Sequence, residues 1–325
     1  MPYSHVRFVF YDIYTDPPFR PRGAGVIGWP VDPMEEARTR ALNIVNVIRH
    51  VARTLPSPSP SDRRKPGFGI LNVFMAPEFF FRSSVGRPDG LDHYTLTEVQ
   101  EARSVIRHAV VSESAFNDWL LVPGTAVYVQ YNAVSRKSKL TARVLFNDAW
   151  MITRSASGKT EWICQKQNFS TIDWLDRDYR AMAQDGPLAK LAARVHKQVI
   201  KLDNLTIGVE ICLDHRLGAL KRTVAPGALD LHLLPCCGGD AFATKVAART
   251  GGYLLRCNGN DFNPPLNRAY KVAPGTGRAG SPGSSIPTLL EIQPAVTMAL
   301  PSRLRISTSG RIDGVGFSDL LPLRS

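Results

Sequence analysis

Apolar positions fall in two rhythms that alternate along this chain, and the alternation predicts a layered α/β fold in a single domain. His5 to Tyr14 reads as a strand of Val, Phe, Ile and Tyr. Asp32-Pro33 opens a helix: the Asp caps, the Pro suits the first turn, and Glu35 stands where a capping box needs it. Ala37, Ala41, Ile44, Val45, Ile48, Val51 and Leu55 follow as one stripe at a period of about 3.6 residues. The run PSPSPSDRRKPG is expected to be loop, and GILNVFM, 69–75, a short central strand. Thr95 with Glu98 predicts another helix with a capping box, turning Val99, Ala102, Ile106, Ala109 and Val110 inward. Further strands are expected over Trp119 to Val129, Val144 to Thr153, Thr160 to Cys164, Leu205 to Ile211, Leu229 to Leu234 and Tyr253 to Cys257. Helices are expected over Leu188 to Val199 and Ala241 to Arg249. Past residue 262 the chain is rich in Gly, Pro and Ser with two or three weak strands, which predicts a peripheral tail.

Composition narrows the class. Of 325 residues, 44% are hydrophobic and 21% charged, enough to bury a full core and unlike a disordered chain. No apolar run approaches the roughly 18 residues of a membrane span, so no membrane partner is expected. The N-terminal MPYSHVRFVFYDIY breaks into charged and aromatic residues too soon for a signal peptide. The 5 cysteines show no repeated spacing and no CxxC, which argues against a disulfide framework or structural zinc and for a reducing cytoplasm. The net charge of +12 admits a nucleic-acid partner, yet the basic residues are scattered. Their one tight cluster, Arg63-Arg64-Lys65, lies in a Pro/Ser loop, and no nucleic-acid-binding motif accompanies it, so a solvated basic surface is the preferred reading. The histidines His5, His50, His93, His108, His196 and His232 lack ligand spacing and are read as structural or surface residues.

Three segments leave a reactive side chain where a buried strand ends. In Asn72-Val73-Phe74-Met75-Ala76-Pro77-Glu78-Phe79-Phe80-Phe81 a carboxylate is ringed by aromatics. Such surroundings raise its pKa and suit a general base; a Glu satisfied by backbone amides or by Arg82 is the equal alternative. Lys166 follows the short strand ending at Cys164, and alone reads as a surface residue. Cys212 closes the strand Leu205 to Ile211 just before polar residues, where α/β sheets present ligand-binding groups. A thiol there is activated by a neighbouring base and ammonium, or else is an inert buried Cys.

Taken together, Glu, then Lys, then Cys at strand ends resembles the nitrilase superfamily of carbon–nitrogen hydrolases. Pro77-Glu78-Phe79 matches that family's Glu motif, and Ile211-Cys212-Leu213-Asp214-His215-Arg216 its Ile-Cys-x-Asp-x-Arg. Leu233-Leu234-Pro235 and Gly252-Tyr253 through Asn258-Gly259 are similar to later family segments. The usual Tyr-Arg-Lys is replaced by Cys164-Gln165-Lys166. The resemblance covers roughly residues 5–262. It implies a four-layer α-β-β-α sandwich, with 1–262 as the carbon–nitrogen hydrolase-like domain and 263–325 as a C-terminal extension packed on or swapped between subunits.

The resemblance also assigns roles. Cys212 is the nucleophile, Glu78 the general base, and Lys166 with the backbone N–H of Leu213 the oxyanion stabiliser, without metal or cofactor. Asp173 lies nearest the place of a fourth family carboxylate, although loop or capping roles compete for it. Glu210 faces the same side as Cys212 and is read as a second carboxylate behind the site or, slightly preferred, as a buried partner of an Arg. His215 is a candidate for facing the pocket, Cys237 for its rim, and Asp214 and Arg216 for scaffold roles. Arg82, Arg87, Arg177 and Arg180, in loops expected to shape the entrance, are candidates to receive a substrate carboxylate, with surface charge as the preferred reading. Cys212-Leu213-Asp214 leans toward hydrolysis of a small amide rather than a nitrile. Acyl transfer from the same thioester and a catalytically idle binding protein are the other readings. A homodimer or higher homo-oligomer is implied by resemblance alone.

Overall fold

In the computed structural model, residues 3–15, 32–65, 67–83, 93–133, 141–155, 158–169, 173, 198–260, 267–275, 286–306 and 313–323 are described. The first strand, β1 (His5–Asp12), alternates its side chains between two cores: Phe8 and Phe10 face one, Val9 and Tyr11 the other. Helix α1 (Pro33–Thr54) begins as expected, with the Asp32 side chain accepting the Glu35 N–H. The expected loop after it contains one helical turn, α2 (Pro60–Arg63), because Ser59 caps the Asp62 N–H and Pro60 suits the first position. Strand β2 (Ile70–Met75), strand β3 (Tyr94–Thr95) and helix α3 (Leu96–Ser112) follow, the last with the Thr95/Glu98 capping box formed in both directions.

The single strand expected over Trp119 to Val129 is two, β4 (Trp119–Val122) and β5 (Thr125–Ala133). Pro123-Gly124 breaks it: Gly124 has φ +87°, and a Cβ there would lie 2.6 Å from the Pro77 carbonyl oxygen. Strands β6 (Thr141–Ser155), β7 (Gly158–Gln165), β8 (Val199–Leu202) and β9 (Leu205–Val209) come next. Residues 188–197 of the helix expected over Leu188 to Val199 lie outside the described residues, and Val199 itself begins β8. Two short helices, α4 (Leu213–Leu217) and α5 (Ala219–Thr223), precede β10 (Leu229–Cys236). The helix expected over Ala241 to Arg249 is not formed. Only a 3-10 turn stands at Ala243–Lys245, and Ala248 already opens β11 (Ala248–Asn258), because pairing with β10 outweighs a weak local helical pattern.

The C-terminal strands β12 (Arg268–Ala273), β13 (Thr288–Ile292), β14 (Val296–Ala299), β15 (Gly314–Phe317) and β16 (Leu321–Pro322) overturn the expectation of a peripheral tail. β12 and β13 extend one sheet, while β15 and β16 pair with β1 in the other. Gly316 makes the fit possible, since a Cβ there would lie 2.1 Å from the Phe10 ring.

The first sheet runs β14-β15-β1-β2-β4-β6-β5-β3, with β7 on β6 and β16 on β1; the second runs β13-β12-β11-β10-β9-β8. Parallel strands β1, β2 and β4 form the middle of one, and β9, β10 and β11 the middle of the other. Both faces of these strands are buried, which accounts for their continuous apolar runs. Helices α1 and α3 cover one face of the first sheet through Ile44, Ile48, Val99 and Ile106. Its other face meets the second sheet across a core containing Phe8, Leu71, Val73, Ile207, Leu231 and Leu255. Among the described residues no helix is long and apolar enough to cross a membrane.

Candidate active site

The ends of β2, β7 and the β9 strand converge. Glu78 stands three residues after β2, with its backbone pinned on both sides: its N–H donates to Cys236 O at 3.4 Å, and Thr15 Oγ1 donates to its carbonyl at 2.6 Å. Phe79, next in line, adopts φ 64° and donates its N–H to Thr125 Oγ1. Lys166 immediately follows β7, and its N–H is held by Asn147 O at 2.8 Å.

The Lys166 side chain is fully buried rather than at the surface, because two carboxylates meet it. Its Nζ lies 2.7 Å from Glu78 Oε1 and 2.7 Å from both oxygens of Asp173. Asn147 Nδ2 braces the same pair, donating to Glu78 Oε1 at 3.0 Å and Asp173 Oδ1 at 2.8 Å. Glu78 is therefore satisfied through one oxygen, by Lys166 and Asn147 rather than by Arg82; its Oε2 is buried without a hydrogen-bond partner among the described residues. Arg82 is buried as well, its guanidinium 5.2 Å from the Phe79 ring centre. Arg87, Arg177 and Arg180 lie outside the described residues.

Burial raises the pKa of Glu78; the Lys166 ammonium opposes this and Asp173 adds to it. Burial also works against the Lys166 charge, but the Glu78 and Asp173 carboxylates outweigh it and raise its pKa. The Cys212 thiol is pushed well above its ordinary pKa by burial and by the Glu78 charge, against a lowering pull from Lys166.

The strand before Cys212 ends abruptly. Cys212 adopts φ 45° and ψ −103° at the head of α4, with its N–H on Pro235 O at 3.2 Å and its thiol 3.7 Å from the Cys237 carbonyl oxygen. Leu213, the first residue of α4, carries an N–H with no partner inside the helix. Asp214 is a scaffold: its carboxylate accepts the N–H groups of Gln167 and Asn168 and the Asn168 side-chain amide, tying the chain after Lys166 to the chain after Cys212. Burial lifts its pKa to about 6 against those hydrogen bonds. Cys237 is buried with Phe79, Val127, Val129 and Leu145 rather than lining an open rim.

Glu210 corrects two expectations. Its partners are histidines, not an Arg: Oε1 accepts from His215 Nδ1 at 2.7 Å and lies 2.9 Å from His232 Nε2, and Oε2 accepts the Leu220 N–H at 2.9 Å. His215 accordingly turns to Glu210 instead of facing a pocket, and His232, expected to be merely structural, belongs to the same cluster. Burial works against ionisation of Glu210, but the two histidines prevail and hold its pKa near 2. Burial lowers the pKa of His215. These three side chains present ligand atoms close enough together for a metal ion. The hydrogen bonds decide otherwise. His215 Nε2 accepts the Phe242 N–H at 3.0 Å and His232 Nδ1 the Ala247 N–H at 3.3 Å, so the nitrogens facing Glu210 carry the protons and lack the lone pairs a metal needs.

Asn147 escaped the sequence reading. Its signal was a polar pair, Asn147-Asp148, inside the apolar run from Leu145 to Ile152. Asp148 is itself engaged by Tyr128 Oη at 2.6 Å and by Arg103 at 3.5 Å.

No protein-family model matches the sequence, and no curated protein matches it. Among solved structures, similar ones include an amidase from Nesterenkonia sp., at 13% identity over 98% of this chain and 91% of that one, with a TM-score of 0.41. A cysteine-to-alanine mutant of the Nesterenkonia AN1 amidase, described as from the nitrilase superfamily, matches at 14% identity, with the same coverage and TM-score 0.41. The complex of such a mutant with butyramide matches at 16% identity over 89% of this chain and 91% of that one, with TM-score 0.38.

Proposed function

We propose that this protein is a thiol amidohydrolase of the nitrilase type, cleaving the C–N bond of a small amide. The observation that carries the reading is the buried Glu78–Lys166–Asp173 cluster, with Lys166 Nζ 2.7 Å from each carboxylate and the Glu78 and Lys166 charges both bearing on the Cys212 thiol. The same reading extends the two facing sheets and the α1/α3 layer to a four-layer α-β-β-α sandwich.

At rest the Cys212 thiol keeps its proton, since its pKa is raised. Attack therefore needs a base in place. Glu78 takes the thiol proton as sulfur bonds to the amide carbonyl carbon and the C=O electron pair moves onto oxygen. Lys166 and the Leu213 N–H meet that oxyanion; removing one such donor typically costs about 10²–10³ in kcat. When the intermediate collapses, the C–N bond breaks and the Glu78 proton passes to the departing amine. Water then gives a proton to Glu78 and attacks the thioester, and collapse releases the carboxylic acid and returns the proton to sulfur. Asp173 and Asn147 keep the Lys166 and Glu78 side chains aligned throughout.

The test is a panel of small aliphatic amides, carbamoyl compounds and nitriles, read by ammonia release. Amide-dependent release that vanishes in Cys212→Ala and in Glu78→Gln, with an acyl adduct on Cys212 of the wild type caught by acid quench and seen by mass spectrometry, is expected. Undiminished release by folded Cys212→Ala overturns the proposal.

A further inference from the structure

Cys212 holds a left-handed backbone conformation that a residue with a Cβ adopts only under constraint. Such a conformation persists where the surroundings over-determine it. Here they converge on one side chain two residues upstream. Through Oε2, Glu210 accepts the N–H of Leu220 in α5, and through Oε1 it accepts His215 in α4. His215 passes the restraint onward, its Nε2 accepting the N–H of Phe242 in the loop that follows Cys237. The Cys237 carbonyl faces the Cys212 thiol. A single buried carboxylate thus joins the chain before the nucleophile to both short helices after it and to the loop across from it.

We propose that Glu210, acting through His215, is a positioning residue that holds the Cys212 turn in its attacking geometry. The inference rests on the reading of Cys212 as nucleophile. A carboxylate is needed for a specific reason. Leu220 and His215 both present donors to it, with His232 Nε2 2.9 Å away, and a carboxylate is acceptor-only. Glutamine at this position has one oxygen and one NH2 group, so a donor must face a donor on one side. His215 escapes that clash only by moving its proton to Nε2, which then opposes the Phe242 N–H. Either way one link of the clamp opens.

Two readouts separate positioning from mere support of the fold: the split between kcat and KM for amide turnover, and the rate at which iodoacetamide alkylates Cys212, followed on its own peptide by mass spectrometry. The second needs no substrate. Wild type, Glu210→Gln, His215→Asn and Cys212→Ala are compared, each normalised to the folded fraction from circular dichroism. Misplacement of a reacting group by about 1 Å costs on the order of 100-fold, so Glu210→Gln is expected to lose about that factor in kcat, with KM changed less than threefold and Cys212 alkylation altered in step. His215→Asn keeps a donor for Glu210 but not the acceptor for Phe242, and about a tenfold loss in kcat is expected. Wild-type kcat and alkylation in folded Glu210→Gln overturn the proposal. Where that variant does not fold, unchanged kcat in folded His215→Asn overturns it. Turnover that survives Cys212→Ala rejects the nucleophile assignment instead, which is a separate outcome.

Discussion

The Lys166 ammonium and the Glu78 carboxylate meet at 2.7 Å with neither side chain exposed to solvent. Removing one partner of a buried pair leaves the other charged and unsolvated, at a cost of about 3–5 kcal/mol. Lys166→Met is therefore expected to lower stability by that order in urea titrations, with Glu78 and Asp173 both losing their shared ammonium. Its kcat is expected to fall about 10²–10³-fold through the lost oxyanion donor. Lys166→Arg should not rescue, because a planar fork does not fit a site built around a compact ammonium. Near wild-type stability in Lys166→Met would contradict the pairing.

Asn147 donates to both carboxylates that flank Lys166. A hydrogen bond to the ionised form favours that form, so its loss moves the Glu78 pKa further up. In the proposed mechanism only ionised Glu78 accepts the thiol proton. In Asn147→Leu, which removes the donors at similar volume, the acid limb of kcat/KM against pH should move to higher pH and neutral-pH activity should drop. A profile unmoved from wild type would show that Asn147 does not hold the base.

Acid stability tests the Glu210 cluster. The Glu210 pKa falls from 4.5 to about 2 on folding. A depressed carboxyl contributes stability above its unfolded pKa and loses it as pH falls through the folded one, here between about 4.5 and 2, amounting to about 3 kcal/mol. The lowered His215 pKa acts in the same direction from pH 6.5 downward, since the folded state resists protonating it. Urea midpoints measured from pH 7 to pH 3 should fall more steeply for wild type than for Glu210→Gln. Parallel slopes would remove the carboxylate from the account.

Much of this site was legible because the chemistry stands where apolar strands stop. Glu78 and Cys212 follow runs whose burial is readable from composition, and Lys166 lies between them in the chain. Asp173, weakly indicated by its offset from Lys166, is brought into contact with it. Asn147 was harder to see because it lies inside β6, where its only mark was polarity amid apolar neighbours. Glu210 was expected on the same side as Cys212, but its partners come from α4, α5 and β10, and sequence carries no sign of which distant donor reaches a buried carboxylate. The misread segments share a cause. Ala241 to Arg249 and the described residues beyond 262 have weak local preferences, and their form is set by neighbouring strands rather than by propensity.

Gly124 links the fold to Glu78. Its φ of +87° is left-handed, and a Cβ would stand 2.6 Å from both the Pro77 carbonyl oxygen and Phe80 Cβ, on either side of Glu78. Alanine there adds backbone strain of about 1–3 kcal/mol and must push the Glu78 turn aside. Because Glu78 is held by Lys166 Nζ at 2.7 Å, a small displacement of that turn lengthens the contact that aligns its carboxylate. Gly124→Ala should therefore lose activity beyond what its fall in thermal stability explains, with kcat reduced in the fraction that remains folded. A variant destabilised by the same amount in the outer core, Ile106→Val for comparison, should keep wild-type kcat once folded. Equal kcat in the folded fractions of both variants would uncouple this glycine from the position of Glu78 and leave it a purely structural residue of the β4–β5 break.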